Sequence, residues 1–370
     1  MKYDVAIVGG GPAGSACALA LGTERSIVIL DARTPKLCGG LLNREAASAL
    51  APLLGRKDVE ETLASAGVLR EPRRAALELH DWDTGFSMKT QPGYLNMDRL
   101  AFDNWLLARA DEKLNVTIMR RTMAKGLAYA EGHWTIELHD AEAQSIHAET
   151  VVLATGFHGT ARLVPGFQPP RVEQYLALQA AVETDTVKDL IAVLSAEHTD
   201  YYGWIIPKDN VAHIGTGVPM PERKRGEEFI AEMARRFCGL SGEGLTLRGC
   251  PIAVPRSAGD IQVDVLPGAY AAGEAAGFVS PSSGDGISFA LETGRIIGET
   301  IAKCRRDGPS DYNDTLDLIV RRLCPATQRM SKQIFKANIM ARPWLRRVPE
   351  RLLETSGGRW LARRLGVEGF

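Results

Sequence analysis

Apolar positions along this chain fall into three patterns. Short unbroken runs, Val5–Val8, Ser26–Leu30, Val151–Ala154 and Tyr270–Ala272, are bounded by glycine or charge. They predict strands buried on both faces, as in a parallel sheet. Alternation marks the stretch from Val68 to Lys89, where Ala75, Leu77 and Leu79 share one face. It returns between Tyr175 and Val254, predicting strands at Leu176–Val182, Ile191–Leu194, Tyr202–Ile206, Val211–Gly215 and Leu245–Leu247. Val116–Met119, Trp134–Leu138 and Ile146–His147 read as a short meander. Helical spacing covers Ser15–Leu21, Asn43–Leu54 with Asn43 as cap, Tyr94–Leu107 with Asn96 or Asp98 as cap, and Glu222–Cys238. A long helix runs from Gly286 to about Arg305, and a basic helical remainder follows. The buried strands bracket the sheet-rich middle, which predicts an α/β domain interrupted by an inserted sheet. The segments 1–65, 94–165 and 255–308 form the first domain, 66–93 and 166–254 the insert, and 309–370 a C-terminal region.

Charge modifies this picture at one end. The 370 residues carry a formal charge of −1. From Arg321 onward there are 12 Lys or Arg against 3 Asp or Glu, so the last fifty residues are strongly basic and the body is acidic. Such a tail is either a solvated helical face or a peripheral membrane contact through 321–370, with Trp344 and Trp360 among Arg342, Arg346, Arg347, Arg363 and Arg364. An acidic body argues against nucleic acid as a partner. Six scattered cysteines form no C-x-x-C pair, and the seven histidines have no metal-ligand spacing. A strand begins by residue 4 and no apolar run approaches 18 residues, so a cytoplasmic protein without signal peptide or membrane span is expected.

The chemistry concentrates between Asp4 and Asp31. A strand, the turn Gly9-x-Gly11-x-x-Gly14, a helix of small residues and a second strand ending in Asp31 follow in order. In that context the glycine pattern reads as a dinucleotide site. Gly9 permits the tight turn, Gly11 lets the backbone approach a pyrophosphate, and Gly14 lets the helix pack on the strand. The helix N-terminus favours the phosphates, and Asp31, followed by Ala32, is placed to accept from a ribose. A chance glycine turn would not bring strand, helix and acid together. The pattern alone does not separate NAD from FAD. Farther on, Cys38-Gly39-Gly40 suggests backbone held against something flat or bulky.

Taken together, these stretches resemble the FAD-dependent oxidoreductases of the p-hydroxybenzoate-hydroxylase fold, and within them the geranylgeranyl reductase family with its CbrA-like branch. The resemblance covers roughly residues 1–305. Its motifs are Gly9-Gly10-Gly11-Pro12-Ala13-Gly14 with Asp31, Lys36-Leu37-Cys38-Gly39-Gly40, and Tyr202-Gly203-Trp204-Ile205-Ile206-Pro207. The fourth is Gly273-Glu274-Ala275-Ala276-Gly277 with Pro281 and Gly284-Asp285-Gly286 downstream. The resemblance implies a discontinuous Rossmann-like FAD-binding domain of glutathione-reductase type, an inserted antiparallel β-sheet substrate domain and a helical C-terminal region. It implies FAD as cofactor, held by the first motif, Asp31, Ala32, Cys38, Gly39, Gly40, Arg99, Gly156, Gly273, Glu274, Pro281, Gly284, Asp285, Gly286 and Ile287. The helix after Gly286 would aim its N–H groups at the flavin pyrimidine, and Glu274 would accept from a ribityl hydroxyl.

The implied activity is hydride transfer from flavin N5 to a hydrophobic substrate of isoprenoid type. Tyr202 and Trp204 would wall the cavity and Cys38 would sit at the flavin edge, these three being the candidate catalytic residues. The family stretch A-D-G-x-x-S-x-V-R appears here as Ala154-Thr155-Gly156-Phe157-His158-Gly159-Thr160-Ala161-Arg162. Loss of its Asp and Ser weakens the expectation of direct NADPH use, and the donor stays open between NAD(P)H and a reduced protein carrier. The alternatives are a flavin monooxygenase and a flavin-binding protein without turnover. Flavin halogenases share the fold with a W-x-W-x-I-P motif, and Tyr202 in place of its first Trp counts against that reaction.

Overall fold

The computed structural model describes residues 1–32, 36–55, 58–139, 143–156, 159–164, 167, 172–304 and 310–355. In it the unbroken apolar runs become neighbours. Lys2–Val8 lies parallel between Ser145–Leu153 and Ile27–Asp31, with Val8 opposite both Leu153 and Leu30. Val116–Arg120 extends this sheet on one side and Ala269–Ala271 on the other. Helices and a small antiparallel extension cover its two faces, and so Val5, Ala6, Ile7, Ile27, Val28 and Ile29 are fully buried. The first helix, Pro12–Ala20, packs against Ile287–Lys303 backbone to backbone. A Cβ on Gly294 would stand 2.1 Å from the Ala13 carbonyl oxygen. His133–His139 and Ser145–Leu153 form a meander as expected, but its first strand is Met123–Ala130, because Val116–Met119 is taken up in the parallel sheet beside Ile27–Asp31.

A second sheet has the strand order Arg248–Pro255, Val172–Glu183, Val211–Pro219, Gly203–Lys208, Leu190–Leu194, Leu77–Asp81 and Ser87–Lys89. It is mostly antiparallel, but Leu190–Leu194 runs parallel to Leu77–Asp81, so the inserted sheet is mixed. One face is covered by the helix Arg223–Cys238 through Phe229, Ile230 and Met233. Its other face looks toward the first sheet. A third sheet joins Leu41–Leu42, Tyr94–Met97 and Leu69–Ala75.

Several boundaries differ from the sequence reading. Tyr94–Met97 is strand, because Asn96 is buried and pairs with Leu41. Asp98 then caps Arg99–Asp111, its carboxylate accepting from Ala101 N at 2.8 Å. Asn43 caps Arg44–Leu50 as expected, and the chain tightens into a 3₁₀ turn at Ala51–Leu54, which contains Pro52. Leu245 and Leu247 pack against the Arg223–Cys238 helix as loop residues, and the edge strand starts at Arg248. The helix Val59–Ser65, capped by Asp58, was not foreseen. The C-terminal region holds Ser310–Met340 and Pro343–Glu354. Phe157, His158, Arg305, Trp360, Arg363 and Arg364 lie outside the described residues.

Candidate functional site

A cavity of ≈ 750 Å³ opens where the parallel strands end and the second sheet faces them. Such crevices, at the carboxyl ends of parallel strands, are where open α/β sheets bind ligands. Gly9 turns the chain with φ +116°, and a Cβ there would stand 2.3 Å from the Ala154 carbonyl oxygen. A Cβ on Gly14 would be 1.9 Å from the Gly9 carbonyl oxygen, so the helix can approach the strand only at glycine. Around Gly11 the opposite holds. It precedes the first helical residue, Pro12, and no atom lies within 4 Å of the place its Cβ would take. The protein thus leaves open the space at the positive end of this helix. Gly9, Gly11, Pro12, Ala13, Asp31 and Ala32 all line the cavity. Gly14 does not, and its place is in the helix–strand contact.

Cys38, Gly39 and Gly40 form the adjoining wall. The loop is wedged: a Cβ on Gly39 would meet Ile206 Cδ1 at 2.5 Å, and one on Gly40 would meet the Met97 carbonyl oxygen at 2.3 Å. The Cys38 thiolate or thiol sulfur accepts from Gly40 N at 3.4 Å. Arg99 is half-buried beside it, donating through Nε to Asp103 at 2.8 Å. Burial works against the guanidinium charge, but Cys38 and Asp103 outweigh it and hold the Arg99 pKa above its ordinary value. Sequence reasoning missed the residue that fixes this loop. Lys208, buried at the end of the Gly203–Lys208 strand, donates to the Gly40 carbonyl at 2.9 Å, the Met97 carbonyl at 2.7 Å and Asn96 Oδ1 at 2.5 Å. Burial lowers its pKa to about 8. A lone lysine ending a strand gives no signal in sequence, because its partners come from two other segments.

The second glycine-rich stretch contributes Glu274, Gly284, Asp285, Gly286 and Ile287 to the lining, with Gly156 opposite. Gly273 and Pro281 are not in the lining. Gly273 packs against Ala13 and Ala290 and donates its N–H to Thr293 Oγ1. Glu274 is ion-paired with Lys36, which ties the Cys38 loop to this stretch. Asp285 also serves its own helix. Its Oδ1 accepts from Ile287 N at 3.0 Å and Ser288 N at 3.2 Å, and Asn43 Nδ2 donates to its Oδ2 at 2.8 Å. The first N–H groups of the Ile287–Lys303 helix are therefore taken by a carboxylate of this chain. Burial raises the Asp285 pKa even so.

The aromatic wall also differs in detail. Tyr202 precedes the Gly203–Lys208 strand, and its hydroxyl donates to the Ser283 carbonyl at 2.6 Å. Trp204 stands 5.7 Å from it between ring centroids and donates Nε1 to Gln179 Oε1 at 3.2 Å. Both line the cavity, with their polar atoms turned to protein partners. Tyr201 was missed. Its ring stacks on Tyr202 at 4.9 Å, it lines the same cavity, and its buried hydroxyl has no hydrogen-bond partner among the described residues. That hydroxyl lies beside Gly284, 2.7 Å from where a Cβ would sit. Burial holds its pKa well above 10, so Tyr201 is a neutral donor. Among the described residues, the second sheet adds no charged side chain to the lining.

Thr155 and Gly159, which replace the acid and serine of the resembled stretch, are internal to their turn. Thr155 Oγ1 lies 3.0 Å from Thr160 Oγ1 and donates to the Gly156 carbonyl at 3.1 Å. The carboxylate beside this turn comes from another segment: Glu274 Oε2 lies 3.6 Å from where a Cβ on Gly156 would sit. The open helix end at Gly11, the acid at Asp31 and the long cavity running to an aromatic wall fit FAD, a dinucleotide with a flat ring system.

Comparison with known proteins agrees. The family described as "Pyridine nucleotide-disulphide oxidoreductase" matches residues 3–218. The protein named CbrA from Escherichia coli O9:H4 (strain HS) is 27% identical over 369 residues, covering 94% of this chain and 97% of its own. Among solved structures, a geranylgeranyl bacteriochlorophyll reductase-like protein from Thermoplasma acidophilum superposes with a TM-score of 0.76 at 18% identity, over 96% of this chain and 91% of that one. The p-nitrophenol 4-monooxygenase PnpA from Pseudomonas putida DLL-E4 gives 0.72 at 16% identity, over 99% and 98%. At such identities these two establish the fold, and one is named as reductase-like while the other is a monooxygenase.

Proposed function

The chain belongs to the pyridine nucleotide-disulphide oxidoreductase family, and on that premise we propose that it is an FAD-dependent reductase of a hydrophobic, isoprenoid-type substrate. Bound FAD supplies two-electron hydride chemistry at its ring. The chain's own residues bind and enclose. Gly9 and Gly11 open the helix end to a pyrophosphate, Asp31 receives a ribose, and the wedged Cys38-Gly39-Gly40 loop offers flat backbone. The observation that carries the substrate class is the second sheet's face. Leu77, Leu79, Leu190, Leu194 and Ile252 line the cavity beside Tyr202 and Trp204, with no charged side chain among the described residues of that wall. Such a wall binds by removing apolar surface from water, at roughly 25 cal/mol per Å², and it offers a carboxylate or phosphate on the substrate no partner. Tyr201 contributes a donor with no hydrogen-bond partner among the described residues, able to hold a single oxygen atom.

The electron donor follows from Thr155 and Gly159. They stand where the resembled stretch has its acid and serine, and on that ground a reduced protein carrier suits the site better than NADPH. The test is anaerobic. Holoprotein is reduced with dithionite or light and mixed with geranylgeraniol as probe. Flavin reoxidation without oxygen, with two hydrogens gained by the product, supports the reading. Oxidation only in air, with an oxygen atom gained, makes the protein a monooxygenase. Failure of every prenyl probe under both conditions returns it to a flavin-binding protein without turnover.

A further inference from the structure

The C-terminal helix Pro343–Glu354 is built inside out. Its buried residues are Arg346 and Glu350, one turn apart. Arg346 Nε lies 2.5 Å from Asp81 Oδ2, its Nη2 donates to Asp81 Oδ1 at 3.1 Å, and it is paired with Asp83. Asp81 ends a strand of the second sheet, so a charged clasp holds the helix against that sheet. The opposite face carries Trp344, Val348 and Leu352 at four-residue spacing, exposed at 68%, 64% and 55%. Arg347 and Arg351 flank this stripe and are themselves exposed, as is Arg342. Phe335, on the preceding helix, is 68% exposed. Next to it in the chain is Lys336, which lines the cavity together with Met340.

A short helix that buries an arginine and a glutamate while showing water a tryptophan, a valine and a leucine has its polarity fixed by the clasp. The exposed stripe is then continuous apolar surface rimmed by cations, the composition of a helix that lies in a membrane interface. Cationic rims complement anionic headgroups, each contributing about 1 kcal/mol near such a surface. The helix is also tied to the cavity wall, because Arg346 donates to the carbonyl of Met340, which lines the cavity. We propose that this helix seats the protein on an anionic lipid bilayer, with Trp344, Val348 and Leu352 immersed and Arg342, Arg347 and Arg351 at the headgroups. That places the cavity at the lipid surface, where an apolar substrate dissolves. Docking goes beyond the proposed reaction and does not rest on it, since a monooxygenase of the same shape would dock alike.

The experiment uses full-length holoprotein and two kinds of vesicle, phosphatidylcholine alone and phosphatidylcholine with phosphatidylglycerol. Co-sedimentation is expected with the second only, falling as salt shortens the screening length below about 10 Å. Replacing Trp344, Val348 and Leu352 together by serine should lower partitioning more than tenfold. Each of Arg347→Gln and Arg351→Gln should lower it about fivefold. All are exposed positions, and unchanged flavin absorbance and circular dichroism verify the fold. Equal binding to both vesicles, binding that survives the triple change, or no binding overturns the proposal. So does a concentration-dependent dimer that the triple change converts to monomer, since a second copy would then be the occupant.

Discussion

The hydroxyl of Tyr202 donates to the carbonyl of Ser283 at 2.6 Å, bolting the second sheet to the glycine-rich loop of the first domain. Its neighbour Tyr201, stacked on the Tyr202 ring, has no partner for its own hydroxyl among the described residues. The two phenols therefore predict opposite outcomes. Tyr202→Phe leaves a carbonyl unpaired and should cost about 1 kcal/mol of stability without ligand. Tyr201→Phe removes a buried unsatisfied group and should leave ligand-free stability unchanged or raised, while weakening substrate turnover. Thermal unfolding of both variants without substrate checks the pair. If Tyr201→Phe is the more damaging change there, its hydroxyl has a structural partner and the site reading fails.

Two glycines of one motif separate folding from binding. Gly14→Ala would drive a methyl to 1.9 Å from the Gly9 carbonyl oxygen, so the variant should be grossly destabilised or insoluble. Gly11→Val meets open space in the protein and should fold with a normal circular dichroism spectrum. Its side chain instead fills the pyrophosphate position, so the purified protein should be colourless and lack FAD by mass spectrometry of the denatured supernatant. A yellow Gly11→Val protein would refute this placement of the cofactor.

What the sequence revealed was whatever is local. Val5–Val8, Gly9–Gly14 and Asp31 announce strand, turn and acid within thirty residues, and the structure assembles them in that order. The apolar runs at Val151–Ala154 and Tyr270–Ala272 pair in the same sheet because nothing but burial on both faces suits them. What stayed hidden was set by distant partners. Lys208 has meaning only beside Gly40 and Met97, more than a hundred residues away. Arg346 looked like one more cation of a basic tail, yet it is buried against Asp81 and Asp83. Asp285 gave no sequence sign that it would also hold Asn43 and the first turn of its own helix.

Lys208 predicts a pH effect of definite sign. Burial places its folded pKa at about 8, below the ordinary 10.5. Between these values the unfolded chain binds more protons, so stability rises with pH across that window and the contribution is lost as pH falls through 8. Lys208→Met should flatten the denaturation midpoint between pH 8 and 10.5. It should also free the Gly40 and Met97 carbonyls and so broaden the flavin absorption spectrum of the holoprotein. A variant whose midpoint follows wild type across the window would show that Lys208 does not set the slope.

The clasp at the C-terminal helix predicts the reverse slope at lower pH. Burial first, and then Asp81, raise the Glu350 pKa from 4.5 to about 7, with Thr84 and the Arg346 charge acting against them. Asp83 faces the same guanidinium. The folded protein therefore holds a proton on Glu350 that the unfolded chain has released once pH exceeds 4.5. Its contribution is fully present below 4.5 and is lost as pH rises through about 7. The change should be roughly 3 kcal/mol at most, at about 1.4 kcal/mol for each tenfold change in proton affinity. Glu350→Gln keeps the shape of the protonated acid and cannot lose the proton, so its stability should be level where wild type declines. Hydrogen exchange of the amides of Pro343–Glu354 reads this locally: in wild type they should exchange faster at pH 7 than at pH 5, after correction for intrinsic rates, and in Glu350→Gln they should not. Parallel behaviour of the two proteins would remove the shared proton from the clasp and leave Arg346 with Asp81 and Asp83 as the whole of what holds this helix.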